Sequence, residues 1–354
     1  MPGSSARPLP AGDLGHVLEH TQGLWEELRG GHLFLTGGTG FFGRWMLESF
    51  IRANDELRLG AEAIVLTRDP RRFAAAAPHV AKHSAIALQT GDVSSFDDPA
   101  AECTHILHMA TETALAASAT ASFETAVDGT RRVLSFAARR GVTKLLLTSS
   151  GAVYGPQPSD CERLSEEYVG APRADDVSAG YALGKRAAEF LCSAAAAQTA
   201  LEAKIARCFA FVGPLLPLDA NFAIGNFIHD ALYGDRIEVT GDGTPRRSYL
   251  YAADLAVWLW TILFNGQSGR PYNVGSDEDL SISDVAQLVA RVVRPGISVR
   301  IAQTPTAGAP PARYVPATTR AARELQLHRT VALDDAVSRT AEWYLAGPTP
   351  RSQG

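Results

Sequence analysis

Cysteine is scarce in this sequence, and its few residues are never closely spaced. The four cysteines, Cys103, Cys161, Cys192 and Cys208, include no C-x-x-C pair, so they fit neither a zinc site nor a disulfide framework. The nine histidines are scattered without the spacing of metal ligands. We therefore expect a protein of a reducing cytoplasm that binds no metal ion.

Long apolar runs and an excess of positive charge are missing as well. No apolar run approaches the roughly 18 residues that span a membrane, and residues 1–11 lack the apolar core of a signal peptide. The net charge of -5 at pH 7 argues against nucleic acid or an anionic membrane as the partner. These absences favour a cytoplasmic protein whose anion-binding sites are local.

What is present is an alternation of strand and helix patterns. A helix capped by Asp13 is expected to reach Arg29. Short apolar runs then predict strands at residues 32–36, 63–67, 86–89, 104–108, 144–148 and 202–209. Strands that alternate with helices imply parallel pairing, right-handed crossovers and helices on both faces. The sequence thus predicts an α/β fold with a doubly wound parallel sheet of the Rossmann type.

The texture changes after residue 210, where Pro and Gly punctuate short elements. We expect an N-terminal tail and helix (1–30), a dinucleotide-binding domain (31–210), a smaller α/β substrate lobe interleaved with that domain (211–346), and a loose tail (347–354). The substrate lobe is expected to lie over the cofactor sheet. Within it, residues 304–316 read as a Pro- and Ala-rich loop.

A glycine-rich turn follows the first expected strand. Three glycines form G-x-x-G-x-x-G between that strand and a helix, so the backbone can closely approach a pyrophosphate. The helix N-terminus adds free N–H groups and the positive end of its dipole. The turn therefore predicts a site for a nicotinamide dinucleotide. The predicted contacts are Gly37, Thr39, Gly40, Phe41, Phe42 and Gly43.

The end of the second expected strand bears on the choice between NAD and NADP. An acidic residue there binds the ribose hydroxyls of NAD, but the sequence reads Thr67-Arg68-Asp69. Arg68, with Arg44 just past the last glycine, is suited to a 2′-phosphate and favours NADP. The alternative is that both arginines are solvated and Asp69 binds the ribose. Next to the adenine we expect Asp92 and Val93.

A Tyr and a Lys four residues apart form the second informative motif. Tyr181 and Lys185 lie on one face of an expected helix. A phenol loses its proton near pH 10, and the Lys185 ammonium, together with a positive nicotinamide, is expected to lower the Tyr181 pKa. Tyr181 then takes a proton from a substrate hydroxyl while hydride leaves the same carbon. Ser150, at the end of the fifth strand, is expected to hydrogen-bond that oxygen.

These motifs belong to an ordered series along nearly the whole chain. It comprises residues 36–43, Gly91-Asp92, His108-Met109-Ala110, residues 149–155 and 181–185, Arg207 with Gly213-Pro214, Gly241-Asp242-Gly243 with Arg247 and Asp254, and residues 272–275. The sequence resembles the extended short-chain dehydrogenase/reductases, in particular the NAD-dependent epimerase/dehydratase family acting on nucleotide sugars. The resemblance implies a catalytic triad of Ser150, Tyr181 and Lys185, and a C-terminal lobe that holds a nucleoside diphosphate sugar.

The resemblance extends the predicted site to neighbouring positions. Further cofactor contacts are Met109, Ala110, Thr111, Thr148, Tyr181 and Lys185. Substrate contacts are Thr111, Ser150, Gly151 and Ala152. In the lobe, Asn221 is a candidate for the sugar diphosphate, with an ordinary loop cap as the alternative. A guanidinium forks onto phosphate oxygens; Arg246 and Arg247 qualify equally by chemistry, and the resemblance selects Arg247.

The residues after Ser150 bear on the reaction. Dehydratases of this family resemble one another in a Thr-Asp-Glu at the serine position, and the related decarboxylases keep a Glu there. This chain reads Ser150-Gly151-Ala152, without an acid. Because elimination needs an acid for the leaving hydroxyl and a base at the neighbouring carbon, 4,6-dehydration and decarboxylation are disfavoured. Glu112 is a candidate substitute acid, with a polar loop residue as the alternative.

Oxidation and reduction in sequence remain. The sequence therefore predicts an NAD(P)-dependent nucleotide-sugar 4-epimerase, an isomerase of carbohydrate biosynthesis that works through a transient 4-keto sugar. An NADPH-dependent 4-ketoreductase of a deoxysugar nucleotide is the first alternative, supported by Arg68. A non-catalytic, cofactor-sensing protein on the same fold is the second. By analogy with the family, we expect a homodimer joined through helices at residues 123–140 and 179–198.

Overall fold

Seven parallel strands form the central sheet in the computed structural model, which describes residues 6–111, 118–220 and 222–347. They are β1 (His32–Thr36), β2 (Glu62–Thr67), β3 (Ile86–Thr90), β4 (His105–His108), β5 (Lys144–Ser150), β6 (Glu202–Cys208) and β11 (Pro271–Val274). The order is β11-β6-β5-β4-β1-β2-β3, and each neighbouring pair is parallel. The order reverses between β4 and β1, so the predicted doubly wound sheet is confirmed.

Helices cover this sheet and build much of the C-terminal part. They are α1 (Ala11–His20), α2 (Phe41–Leu57), α3 (Pro70–Ala76), α4 (Pro78–Ala81), α5 (Ala119–Arg140), α6 (Gly180–Gln198), α7 (Ala223–Tyr233), α8 (Ala252–Asn265), α9 (Ile282–Val293), α10 (Thr319–Leu325) and α11 (Leu333–Leu345). Local sequence sets their ends: at α5, the Ser118 hydroxyl accepts the Ala121 N–H, and Gly141 closes the helix in the left-handed conformation. Within the described ranges, every helix is too short or too polar to cross a bilayer.

Short strands organise the C-terminal part around the end of the sheet. They are β7 (Phe211–Val212), β8 (Arg236–Val239), β9 (Arg246–Arg247), β10 (Leu250–Tyr251), β12 (Leu280–Ser281), β13 (Ser298–Ile301) and β14 (Arg313–Tyr314). β9 lies between β12 and β14. The loop prediction for residues 304–316 is therefore wrong at its end, because Arg313 and Tyr314 pair with Arg246 and Arg247.

Side chains of the central strands alternate between two apolar layers. Leu33 and Leu35 of β1 are buried on one face, in the cluster that includes α2 and α8. Phe34 is buried on the other face, where its ring lies 5.0 Å from that of Phe136 in α5. Burial on both faces is typical of parallel sheets. It leaves the carboxyl ends of the strands as the open edge at which a site can form.

The N-terminal segment differs from the prediction. α1 ends at His20, a separate 3-10 turn covers Trp25–Leu28, and Pro10 rather than Asp13 occupies the N-cap of α1. Asp13 lies within α1, and its side chain is buried. It accepts hydrogen bonds from Tyr251 Oη at 2.5 Å and Arg339 Nη1 at 2.9 Å. Asp13 thus ties α1 to the C-terminal part instead of capping the helix.

Candidate active site

The glycine turn joins β1 to α2 at the point where the strand order reverses. Gly37 has φ +73°, and a Cβ there would lie 2.6 Å from the Ala110 nitrogen. A Cβ on Gly43 would lie 2.3 Å from the Gly37 carbonyl oxygen. Both glycines are therefore required by contacts of the backbone with itself. A Cβ on Gly40 would meet only the Gly37 oxygen, at 3.6 Å, so the space next to Gly40 is open.

The N-terminus of α2 faces this open space. Gly40 is its N-cap, and no side chain caps the helix. The first N–H groups of a helix have no partner within the helix, and together with the helix dipole they favour an anion. The turn therefore fits the pyrophosphate of a dinucleotide, held by backbone groups of the predicted glycine-turn residues. Met109 and Ala110, at the end of β4, lie against Gly37.

Arg44 is not directed at a cofactor phosphate. Its buried guanidinium donates to Glu48 Oε1 at 2.7 Å, and His79 Nε2 lies 3.2 Å from the same oxygen. Burial opposes ionisation of Glu48, but the hydrogen bond of His79 and the charge of Arg44 hold its pKa below the usual range. The prediction that Arg44 binds a 2′-phosphate is therefore wrong, and the case for NADP loses one of its two supports.

The residues predicted near the adenine lie beyond the ends of β2 and β3. The Asp69 carboxylate caps α3, where it accepts the Arg72 N–H at 2.9 Å. Asp92 accepts the Ser94 hydroxyl at 2.6 Å. The hydrogen bonds from Ser94 and the charge of Arg68 lower the Asp92 pKa, so Arg68 and Asp92 share one side of the sheet. Val93 is buried as well.

β5 and α6 bring the predicted triad together. Ser150 ends β5 and is 7% exposed, and Lys185 on α6 is 2% exposed. Ser150 lies close enough to the phenol of Tyr181, one turn of α6 before Lys185, to act on its pKa. The Lys185 ammonium donates to the Thr148 carbonyl oxygen at 2.8 Å. The four residues therefore form one polar centre at the carboxyl end of β5.

The charge states of this centre differ from the expectation. Burial raises the pKa of Tyr181, against the opposing hydrogen bond of Ser150. Burial also lowers the pKa of Lys185 to about 8. The expected lowering of the Tyr181 pKa by Lys185 is wrong for the protein by itself, because the ammonium is directed at the Thr148 carbonyl. Tyr181 is thus a neutral phenol at pH 7.

The Lys185 pKa predicts a pH-dependent stability. The folded protein releases this proton near pH 8, whereas the unfolded chain holds it to about 10.5. The unfolded chain therefore binds more protons within this window, and the Lys185 contribution to the free energy of unfolding rises with pH. We expect wild type to gain stability relative to Lys185→Met between pH 8 and 10, measured by urea denaturation without cofactor. A constant difference across that range would contradict the buried ammonium.

A buried polar network fixes the end of β5 from behind. Ser149 Oγ donates to Glu189 Oε1 at 2.5 Å, and Arg207 Nη2 donates to Glu189 Oε2 at 2.7 Å. The Arg207 guanidinium also lies 4.7 Å over the ring of Tyr154, whose hydroxyl donates to Asn273 Oδ1 at 2.7 Å. Arg207 and Asn273 thus support the site structurally. Their network joins β5, β6 and β11.

Tyr314, which the sequence analysis missed, reaches the same centre from β14. Its hydroxyl would lie 2.7 Å from a Cβ on Gly151, and Ser150 is close enough to act on its pKa. Its ring packs 4.7 Å from that of Phe209. The residue also lines a cavity of about 300 Å³ together with Ala152. The only signal in the sequence was an Arg-Tyr pair in a stretch otherwise rich in Pro and Ala.

Of the other predicted substrate contacts, Arg247 lies next to this centre. It is paired in register with Tyr314, and its charge acts on the Tyr314 pKa. Arg246 is instead held by Asp279, with Nε 2.7 Å from Oδ1, which agrees with the selection of Arg247. Asn221 and Glu112 lie outside the described residues. Across residues 6–111, 118–220 and 222–347, no group of His, Cys, Asp and Glu side chains is placed to hold a metal ion.

Comparison with known proteins gives decarboxylases among the curated relatives, and a dehydratase and epimerases among the solved structures. UDP-glucuronic acid decarboxylase 1 of Xenopus tropicalis is 32% identical over 216 residues, which cover 61% of this chain and 50% of that protein. UDP-glucuronic acid decarboxylase 1 of Arabidopsis thaliana is 26% identical over 314 residues, covering 87% and 68%. The chain thus spans about half the length of the Xenopus protein. The dTDP-glucose 4,6-dehydratase DesIV of Streptomyces venezuelae superposes with a TM-score of 0.73 at 24% identity, over 89% of this chain and 97% of that one, which shows a shared fold.

These similarities correct the predicted reaction. We expected a 4-epimerase, with a 4-ketoreductase or a non-catalytic protein as alternatives, and we disfavoured dehydration and decarboxylation. The curated relatives are decarboxylases instead. The prediction is wrong because it took the missing acid at Gly151 and Ala152 as evidence against loss of water and loss of CO2 alike.

The family itself is shown by a match over most of the chain. The sequence profile of the NAD dependent epimerase/dehydratase family matches residues 33–275, a span that contains the glycine turn, the triad and Arg247. The predicted family is confirmed, and so is a nicotinamide dinucleotide as cofactor, with NAD as the form that names the family. The chain belongs to the NAD-dependent epimerase/dehydratase family.

Proposed function

We propose that this protein is an NAD-dependent decarboxylase of a nucleoside diphosphate hexuronic acid. The similarity to UDP-glucuronic acid decarboxylases supports this reaction and a uridine nucleotide. The observation that carries the proposal is the chemistry around Ser150. In the part of the chain that the structure describes, one carboxylate, Glu189, acts on the pKa of Lys185, Tyr181 or Tyr314, and Arg207 pairs with it at 2.7 Å.

Ser150, Gly151 and Ala152 supply no carboxylic acid, which suits loss of CO2 better than loss of water. Oxidation of a hexuronic acid at C4 gives a β-keto acid, because the carboxyl group is attached to the neighbouring C5. The bond from C5 to the carboxylate then breaks with its electron pair moving towards the ketone. No base is needed at C5, and no leaving hydroxyl must be protonated. Loss of water from a 4-keto hexose needs both groups.

The described residues can carry out the proton steps of this reaction. NAD held at the glycine turn would accept a hydride from C4 and later return it. A bound, positively charged nicotinamide would lower the raised pKa of Tyr181. As the phenolate, Tyr181 then takes the proton of the C4 hydroxyl and afterwards hydrogen-bonds the ketone oxygen, where it draws electrons from C5. Ser150 holds the same oxygen in place. Arg247 is suited to the diphosphate through its fork of donors.

The substrate can be tested directly with purified protein. The protein is incubated with NAD and, separately, UDP-glucuronic acid, UDP-glucose and dTDP-glucose, and the products are identified by mass and NMR. We expect CO2 and a UDP-pentose from the uronic acid, without net consumption of NAD. Loss of water from dTDP-glucose, or isomerisation of UDP-glucose, with no CO2 from UDP-glucuronic acid would contradict the proposal.

The proposal retains the homodimer predicted from the family. α5 and α6 pack against each other closely, since a Cβ on Gly184 would lie 2.9 Å from the Cα of Phe123. The surface of this helix pair exposes Phe123 and Phe190, the latter by 72%. An apolar side chain so exposed on the predicted helices supports pairing with a second copy of the chain.

A further inference from the structure

Tyr314 is a second phenol in the site, and the steps proposed so far give it no role. Ser150 lies close enough to Tyr181 and Tyr314 to act on the pKa of both phenols, and Tyr181 acts on the pKa of Tyr314 as well. The Ser150 oxygen is itself fixed, because it also accepts the Ala152 N–H at 3.2 Å. The Ser150 hydroxyl therefore has two neighbouring phenols, Tyr181 of α6 and Tyr314 of β14.

Several contacts fix Tyr314 in this position. Its backbone pairs in register with Arg247 of β9, and its ring lies 4.7 Å from that of Phe209. Gly151 leaves room for its hydroxyl, which a Cβ there would approach to 2.7 Å. The absence of a side chain at 151 thus makes space for a phenol from another element.

The proposed reaction needs a proton donor besides Tyr181. When CO2 leaves, the electron pair of the C5–carboxyl bond forms a C4–C5 enolate, and C5 must then gain a proton. Tyr181 and Ser150 are engaged with the oxygen on C4, which is bonded to C5. Because the Tyr314 hydroxyl lies against Gly151, next to Ser150, it is suited to reach C5.

We propose that Tyr314 is a catalytic residue that donates its proton to C5 after CO2 has left, an inference that rests on the proposed decarboxylation. The enolate pair takes the proton from the Tyr314 hydroxyl, the C4 ketone re-forms, and Tyr314 becomes a phenolate. Water in the cavity lined by Tyr314 and Ala152 restores its proton. Proton and electron counts balance, since the pentose gains one hydrogen for the CO2 it loses.

The electrostatics agree with a donor rather than a base. Burial raises the pKa of Tyr314, with Ser150 opposing it and Tyr181 adding to it. The phenol therefore keeps its proton at neutral pH and gives it up only to a strongly basic group such as C5 of the enolate. Carboxylic acids are the usual proton donors in such sites, but they ionise near pH 4. A phenol is still protonated at neutral pH and can therefore supply the proton.

The test follows where the new hydrogen goes. Wild type, Tyr314→Phe and the matched control Tyr233→Phe are given UDP-glucuronic acid and NAD in D2O. NADH formed in the first turnover is followed by absorbance, CO2 release is timed, and NMR locates deuterium at C5 of the pentose. We expect wild type and Tyr233→Phe to place deuterium in one of the two C5 positions. Tyr314→Phe should form NADH within a few-fold of the wild-type rate, complete turnover about 10²-fold more slowly, and label both positions.

Two results would overturn the inference, and they are distinguishable. Turnover of Tyr314→Phe at the wild-type rate, with deuterium in a single C5 position, removes Tyr314 from the reaction and leaves the decarboxylase intact. No CO2 from wild type removes the decarboxylase and the role of Tyr314 together. NADH formation by the variant shows that it is folded and binds both ligands, so a slow turnover is not a folding defect.

Discussion

Tyr181→Phe is expected to lower kcat by about 10²–10⁴-fold, which is the usual contribution of a positioned acid or base. The phenylalanine keeps the ring and loses the one oxygen, whose pKa Ser150 affects in the wild type. Loss of that oxygen removes the proton acceptor for the C4 hydroxyl, so the first oxidation itself becomes slow. The measurement is NADH formation in a single turnover together with CO2 release, with UDP-glucuronic acid as substrate.

Tyr181→Phe should differ from Tyr314→Phe in the step that fails. The Tyr181 variant is expected to form no NADH on the timescale of the wild-type turnover, whereas the Tyr314 variant forms it and stalls afterwards. KM should change little in either, because neither phenol is placed to bind the diphosphate. A Tyr181→Phe variant that keeps more than a tenth of the wild-type kcat would exclude Tyr181 as the acid and base.

Gly43→Ala is expected to abolish NAD binding and to destabilise the protein by about 1–3 kcal/mol or more. Its Cβ would lie 2.3 Å from the Gly37 carbonyl oxygen and 2.4 Å from the Gly38 Cα. Both are backbone atoms, so the whole turn between β1 and α2 must shift. The free energy of unfolding is measured by urea denaturation, and NAD affinity by calorimetry.

Gly40→Ala is the matched control within the same turn. Its φ of -84° suits any residue, and its Cβ would meet only the Gly37 oxygen, at 3.6 Å. We expect about 1 kcal/mol or less of destabilisation, the usual cost of a poorer N-cap. NAD affinity should nevertheless fall, because the methyl group occupies the open space at the N-terminus of α2. Equal losses of stability in the two variants would contradict the contacts that we assign to Gly43.

Much of the fold followed from periodicity, whereas the errors concern charged side chains that are buried and paired inside the folded protein. The strands were predictable because a parallel sheet buried on both faces leaves apolar runs between helical patterns. Asp13 and Arg44 were misassigned because their roles depend on Tyr251 and Glu48, which only tertiary packing or helix geometry brings to them. No local pattern in the sequence reports whether a charged side chain is buried.

The predicted triad shows the same division. A Tyr and a Lys at helical spacing, after a strand ending in Ser150, predicted which groups would converge. The spacing did not reveal that Lys185 would bond the Thr148 carbonyl and leave the Tyr181 pKa to burial. Tyr314 was out of reach for another reason: its place depends on the pairing of β14 with β9, between residues far apart in the chain.

The β9–β14 pairing also bears on the order of events during synthesis. The residues of the glycine turn leave the ribosome early, whereas Tyr314 is synthesised much later. A truncated product ending before β14 would retain the glycine turn, Ser150 and Tyr181, yet lack the late-arriving phenol. Competence for the complete reaction therefore requires synthesis to pass β14, long after the dinucleotide site has been made.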